Sequence, residues 1–133
     1  LQTAHGHSVL HQRIGPAAVL VRPDGRAHLM EFGRAVLKPA TAERVQPDLA
    51  GAAALLFQLL AGHAGHDLGH AALEPHLALW NALPSALAPV VRRGAHPDPS
   101  RQYPSATAML RDLLVAGRET PAASPPRRPP QRT

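Results

Sequence analysis

The chain has 133 residues, a formal net charge of +5 and no cysteine. This length allows one domain with a single core of moderate size, and the missing cysteines exclude a disulfide framework and a thiolate metal site. Aromatic residues make up only 3% of the chain, which leaves almost no platform for stacking nucleic-acid bases. No apolar run is long enough to span a bilayer. We therefore expect a cytoplasmic protein that binds neither a specific nucleic acid nor a membrane.

The first predicted elements are a β-hairpin and a loop. Two short apolar runs, residues 18–21 and 27–30, flank the turn triplet PDG at residues 23–25. Such runs on either side of a Pro-Asp-Gly turn are typical of a hairpin. Residues 33–47 are polar and contain two prolines, which predicts a loop.

A buried central helix is predicted next. Asp48 stands where an N-cap belongs, residues 49–60 are apolar on all sides, and Gly62 follows as a C-cap. Two further helical segments are predicted over residues 73–83 and 84–93. The pattern as a whole predicts an α+β fold that is mainly helical.

The last predicted helix begins after Ser105, whose hydroxyl can cap it, and ends at Gly117. Its expected inner face consists of four apolar residues, Ala108, Leu110, Leu113 and Leu114. Residues 118–133 are rich in proline and arginine, so we expect a disordered or polyproline II tail after a domain of residues 1–117.

Three blocks, in the correct order, resemble the carboxy-terminal lobe of a eukaryotic-type protein kinase. Residues 11–18 (HQRIGPAA) and 31–33 (EFG) are similar to the catalytic loop H-R-D-x-K-P-x-N and the magnesium-binding D-F-G. Residues 48–62 resemble the family's buried central helix, and residues 96–106 (HPDPSRQYPSA) resemble the start of its last helix. The resemblance implies a helical bundle around that central helix, with a small hairpin and without the amino-terminal lobe.

The resemblance also implies that the reactive positions are degenerate. His11 is kept, but the catalytic Asp position is Arg13, which cannot act as a base, the Lys position is Gly15 and the Asn position is Ala18. Glu31 alone keeps a carboxylate where the family binds magnesium. Phosphoryl transfer is therefore not expected, and neither is a cofactor.

Other matched positions imply structural roles. Leu20 corresponds to a residue beneath the adenine ring, which we keep as a candidate nucleotide contact, although an apolar strand residue is more often plain core. The framework positions are Phe32, Gly33, Asp48, which tethers the catalytic-loop backbone in the family, and Arg101, whose usual acidic partner is missing.

These features predict a catalytically inactive kinase-like lobe, a pseudokinase, that binds a protein partner through its exposed inter-lobe face or its proline-rich tail. Two alternatives stay open: a fragment of a serine/threonine kinase relative that binds ATP and magnesium through an upstream lobe, and a gene remnant without function. Two local hypotheses accompany them. Arg13 and Glu31 could pair across an emptied metal pocket, and a histidine cluster at residues 63–76 could bind zinc, although a polar connection is the simpler interpretation.

Overall fold

The computed structural model describes residues 1–62 and 77–120, and in these the protein has an α+β fold that is mainly helical. The helices are α1 (Gln2–Gly6), α2 (Ala42–Ala61), α3 (Leu77–Asn81), α4 (Ala88–Gly94) and α5 (Ala106–Glu119). The strands are β1 (Val9–Leu10), β2 (Val19–Val21), β3 (Ala27–Leu29) and β4 (Val36–Leu37). Single turns of 3₁₀ helix cover Pro16–Ala18, Phe32–Arg34 and Pro99–Arg101. The predicted histidine cluster and the tail after Thr120 lie outside the described residues.

The predicted hairpin is confirmed as the antiparallel pair β2–β3, with Val19 opposite Leu29. The turn is built as its residues predict, because the Asp24 carboxylate accepts the Arg26 backbone N–H at 3.0 Å. Gly25 takes a positive φ of 81°, a conformation that costs glycine little.

A second antiparallel pair, β1–β4, was not predicted. Val9 pairs with Leu37 and Leu10 pairs with Val36, so this pair joins the start of the chain to the segment before α2. The expectation of a loop throughout residues 33–47 is therefore wrong. Strands of two residues carry no alternating pattern from which a sequence could reveal them.

Helix α2 starts at Ala42 after Thr41 and includes Pro47, so Asp48 is not the N-cap that its local sequence suggests. The first turns are held by tertiary packing, because Val45 is buried. Pro47 is in the second turn of the helix, where it lacks the N–H that would otherwise bond to the Glu43 carbonyl. Gly62 ends the helix at a φ of 65°, as predicted.

The core forms where α2 meets the later helices. Phe57 of α2 packs against Trp80 of α3 with ring centroids 4.7 Å apart. Gly94 of α4 lies so close to α2 that a Cβ added there would come within 2.6 Å of the Ala53 Cβ. The absence of a side chain at Gly94 therefore sets how closely the two helices approach.

Helix α5 begins as predicted, because the Ser105 hydroxyl accepts the Ala108 N–H at 3.2 Å. It continues to Glu119 and passes through the predicted end at Gly117. Its predicted inner face is partly wrong, since Leu110 is 43% exposed and Leu114 is 58% exposed. The residues that α5 buries are Met109 and Ala116.

Helix α3 ends at Asn81, two residues before the predicted end of its segment. Helix α4 begins at Ala88, four residues after the predicted start, and ends at Gly94, one residue beyond the predicted end. Residues 73–76 of the first segment lie outside the described part of the chain. None of the described helices combines the length and the hydropathy that a bilayer crossing requires.

Candidate functional site

The buried carboxylate of Asp48 is the centre of the site. Its two oxygens accept the backbone N–H of His11 at 2.8 Å and the backbone N–H of Gln12 at 2.6 Å. The Nε2–H of His5 donates to the same carboxylate at 2.9 Å. Hydrogen bonds to a buried carboxylate are short and strong because the acceptor is charged. Asp48 therefore fixes two distant segments of the chain, α1 and residues 11–12, to helix α2.

His11 connects this loop to the segment around Phe32. Its buried ring donates from Nε2 to the Met30 carbonyl at 2.7 Å and accepts the Arg13 backbone N–H at Nδ1, at 3.2 Å. This pattern corresponds to the neutral ring with its proton on Nε2. The ring also makes an edge contact with Phe32, at 4.8 Å between centroids and 74° between planes. The predicted framework residues His11, Phe32 and Asp48 are thus brought together.

A second contact anchors the loop one helical turn further along α2. A Cβ added at Gly51 would lie 3.0 Å from the Ile14 carbonyl oxygen and 3.1 Å from the Ile14 Cβ. The loop backbone therefore rests directly on the helix at this glycine. Gln12 holds a positive φ of 67°, which a non-glycine residue keeps only where its surroundings enforce it, and the bond to Asp48 does so here.

The reactive positions differ sharply from this buried frame. Arg13 and Glu31 are both exposed, and the hypothesis that they pair is wrong: the ion pairs among the described residues do not include one between them. Ala18 is buried, and its carbonyl accepts the Met30 N–H at 2.7 Å. Gly15 is extended and makes no close contact at its Cα.

These residues do not fit a magnesium site. Ala18 offers no side-chain oxygen, Arg13 brings a cation to the loop, and Glu31 is a single exposed carboxylate at a positive φ of 61°. Magnesium requires near-octahedral oxygen coordination, which one carboxylate does not supply. In the described part of the chain, no group of three His, Cys, Asp or Glu side chains is placed to hold a metal ion.

The remaining predicted site residues lie at the surface. Gly33 is in the turn of 3₁₀ helix after Glu31. Arg101 is exposed in the turn of 3₁₀ helix that precedes α5, and the ion pairs between described residues do not include it. In that turn the Asp98 carboxylate accepts the backbone N–H of Ser100 at 2.9 Å and its hydroxyl at 2.7 Å. These two bonds lower the pKa of Asp98.

Large apolar side chains are exposed on both strand pairs and on the segment that follows β3. Leu20 is 53% exposed and Leu37 is 81% exposed, although both are strand residues. Three more large apolar side chains of the same region are exposed, Val21, Met30 and Phe32. We call these five residues the hairpin face. A cluster of exposed apolar side chains on a small protein indicates a contact surface.

Sequence reasoning missed His5 as a member of the site. It lies in the last turn of α1, and its bond to Asp48 spans 43 positions. No local pattern signals such a contact. The ring is buried, and its Nδ1 has no hydrogen-bond partner among the described residues.

Comparison of the chain with protein-family models gives no match, and comparison with curated proteins gives no significant similarity. The resemblance to the protein-kinase lobe therefore stays a prediction that rests on the residues.

Proposed function

We propose that this chain is a protein-kinase-like lobe that does not transfer phosphate and acts by binding a protein partner through the hairpin face. One observation carries the proposal: the buried side chains of Asp48 and His11, with Phe32 against the His11 ring, hold a loop whose positions matching the family's reactive residues are Arg13, Gly15 and Ala18. The side chains that hold the loop in place are present, whereas the reactive groups of the loop are replaced. This combination suits a protein that acts by binding and not by catalysis.

The hairpin face supports the binding part of the proposal. Three of its side chains belong to the two short strand pairs and two follow β3, and burying an exposed leucine in an interface contributes about 1.5–3 kcal/mol. The frame below it is rigid, because Asp48 and His11 hold the loop through buried hydrogen bonds. A rigid apolar face loses little conformational entropy when a partner binds.

The alternative in which an upstream lobe supplies ATP binding shares this surface, because the resemblance implies that such a lobe would cover the same residues. The two functions differ in what contacts Leu20. In the protein-binding function it is a side chain of another protein, and in the alternative it is a nucleotide or the chain's own upstream segment.

Site-specific photocross-linking in the native cells tests the proposal. A photoreactive phenylalanine analogue is placed at Leu20, at Leu37 and, as a matched control, at Leu59 of α2, which is also exposed at 70% but lies outside the hairpin face. We expect adducts with the same single protein from positions 20 and 37 and none from 59. Identical adducts from all three positions, or none from any, would contradict the proposal.

A further inference from the structure

Helix α5 carries a second apolar surface that the fold leaves uncovered. Leu110 and Leu114 are exposed and lie four residues apart, so they form a stripe along the helix, and the exposed Val115 follows Leu114 at its edge. They belong neither to the hairpin face nor to the core. Exposed apolar residues scattered singly need no explanation, but a contiguous stripe does.

The stripe borders a cavity of about 370 Å³ between α1, α2 and α5. Leu49 and Met109, both buried, form its floor, and Leu56 and Leu113 form its walls. Leu110 lines this cavity and also a shallower one of about 320 Å³ on the outer side of α5. Leu110 and Gln2 border both cavities, which therefore lie next to each other, and we call the two cavities together the α5 groove.

The charge along the α5 groove has one sign. Arg111 and Arg118 line its outer part, and no carboxylate lines either cavity. Arg111 makes only a loose contact with Asp112, at 3.7 Å, and its side chain is exposed. Arg118 makes no ion pair with any described residue. Both guanidinium groups can therefore pair with carboxylates of another molecule.

We propose that the α5 groove binds an amphipathic helix of a partner protein, with apolar side chains in the cavity and acidic side chains over Arg111 and Arg118. Grooves of this kind accept helices through apolar residues one turn apart, and the two arginines select the acidic flank. A second copy of the chain fits less well, because pairing two grooves would bring four arginines together without a lining carboxylate. An anionic lipid surface is flat and would leave the cavity unfilled.

The α5 groove is independent of the hairpin face, because different residues form the two surfaces. Its occupant is tested with two fluorescein-labelled helical peptides of roughly four turns, each with leucines at i, i+3, i+4 and i+7. One peptide carries glutamates on the flank of its leucine stripe, and the other carries lysines at the same positions. Fluorescence anisotropy measures the binding of each to the full chain and to its variants.

We expect the glutamate peptide to bind the natural chain and the lysine peptide to bind it at least fivefold more weakly, roughly the effect of two exposed ion pairs. The double variant Arg111→Glu/Arg118→Glu should reverse this preference. Leu114→Glu should weaken both peptides. The matched control Arg22→Glu/Arg26→Glu changes the same charge at the exposed hairpin turn and should leave the preference as it is.

Near-ultraviolet and far-ultraviolet circular dichroism would show that each variant is folded before its binding is compared. The proposal is overturned if neither peptide binds, if both bind equally, or if the double variant keeps the natural preference. It is also overturned if vesicles of phosphatidylserine bind the chain while the glutamate peptide does not, or if cross-linking from position 114 yields a dimer of this chain.

Discussion

Replacing Asp48 by Asn should destabilise the fold strongly. The carboxylate is wholly buried and accepts three hydrogen bonds, from the His11 and Gln12 backbone and from His5, at 2.6 to 2.9 Å. The asparagine amide keeps one acceptor oxygen, but its NH₂ group would face one of these N–H groups, and two donors cannot form a hydrogen bond. Leaving a buried donor without its acceptor costs about 1–3 kcal/mol, which is a sizeable part of a typical stability of about 5–15 kcal/mol.

Urea denaturation measures this cost, with Trp80 as the probe because it is the single tryptophan and lies in the core. Asp24→Asn is the matched control, since its carboxylate accepts one exposed backbone N–H, and its cost should be below about 0.5 kcal/mol. Amide exchange should also accelerate at His11 and Gln12 more than elsewhere in the Asp48 variant. A cost below about 1 kcal/mol for Asp48→Asn would refute the tether.

Two other perturbations follow from the packing and the buried hydroxyl. Gly94→Ala should destabilise the protein by about 1–3 kcal/mol, because its Cβ would meet that of Ala53 at 2.6 Å. At Gly117 an added Cβ would meet no atom within 4 Å, so Gly117→Ala should stabilise helix α5 by about 0.5–1 kcal/mol in the same urea titration. Burial, followed by the hydrogen bond to Asp112, raises the pKa of Tyr103 from 10.0 to about 12. The unfolding free energy should therefore be intact below pH 10 and fall by on the order of 2 kcal/mol as the pH rises to 12. Tyr103→Phe should remove that fall, which urea midpoints at pH 8 and pH 11 would show. Equal alkaline losses in both proteins, or a more stable Gly94 variant, would contradict these expectations.

Local signals account for the elements that the sequence predicted correctly. The hairpin turn, the Ser105 cap and the Gly62 cap each depend on residues within a few positions of one another. Their physical chemistry is therefore present in the sequence itself. The coarse fold class, α+β and mainly helical, follows from the same local patterns.

Long-range contacts account for what was missed. The local pattern assigned Asp48 to a helix start, but its carboxylate bonds residues 36 to 43 positions away. The helix begins before Asp48, at Ala42. The inner side of α5 carries Met109 and Ala116, which are buried, and Asp112, whose carboxylate accepts the Tyr103 hydroxyl at 2.9 Å. This arrangement leaves Leu110 at the surface, contrary to the pattern of apolar residues. Only the resemblance to protein kinases implied the contact between Asp48 and the loop.

The most direct test of the proposed function is the thermal unfolding of the full chain with and without 5 mM MgATP. A nucleotide site with a Kd of about 50 μM would add about 2.7 kcal/mol of stability under these conditions, which corresponds to a rise in Tm of more than about 5 °C for a domain of this size. The proposed function predicts no such rise. A rise of this size that Leu20→Glu abolishes would contradict it, because the hairpin face would then hold a nucleotide and not a protein partner.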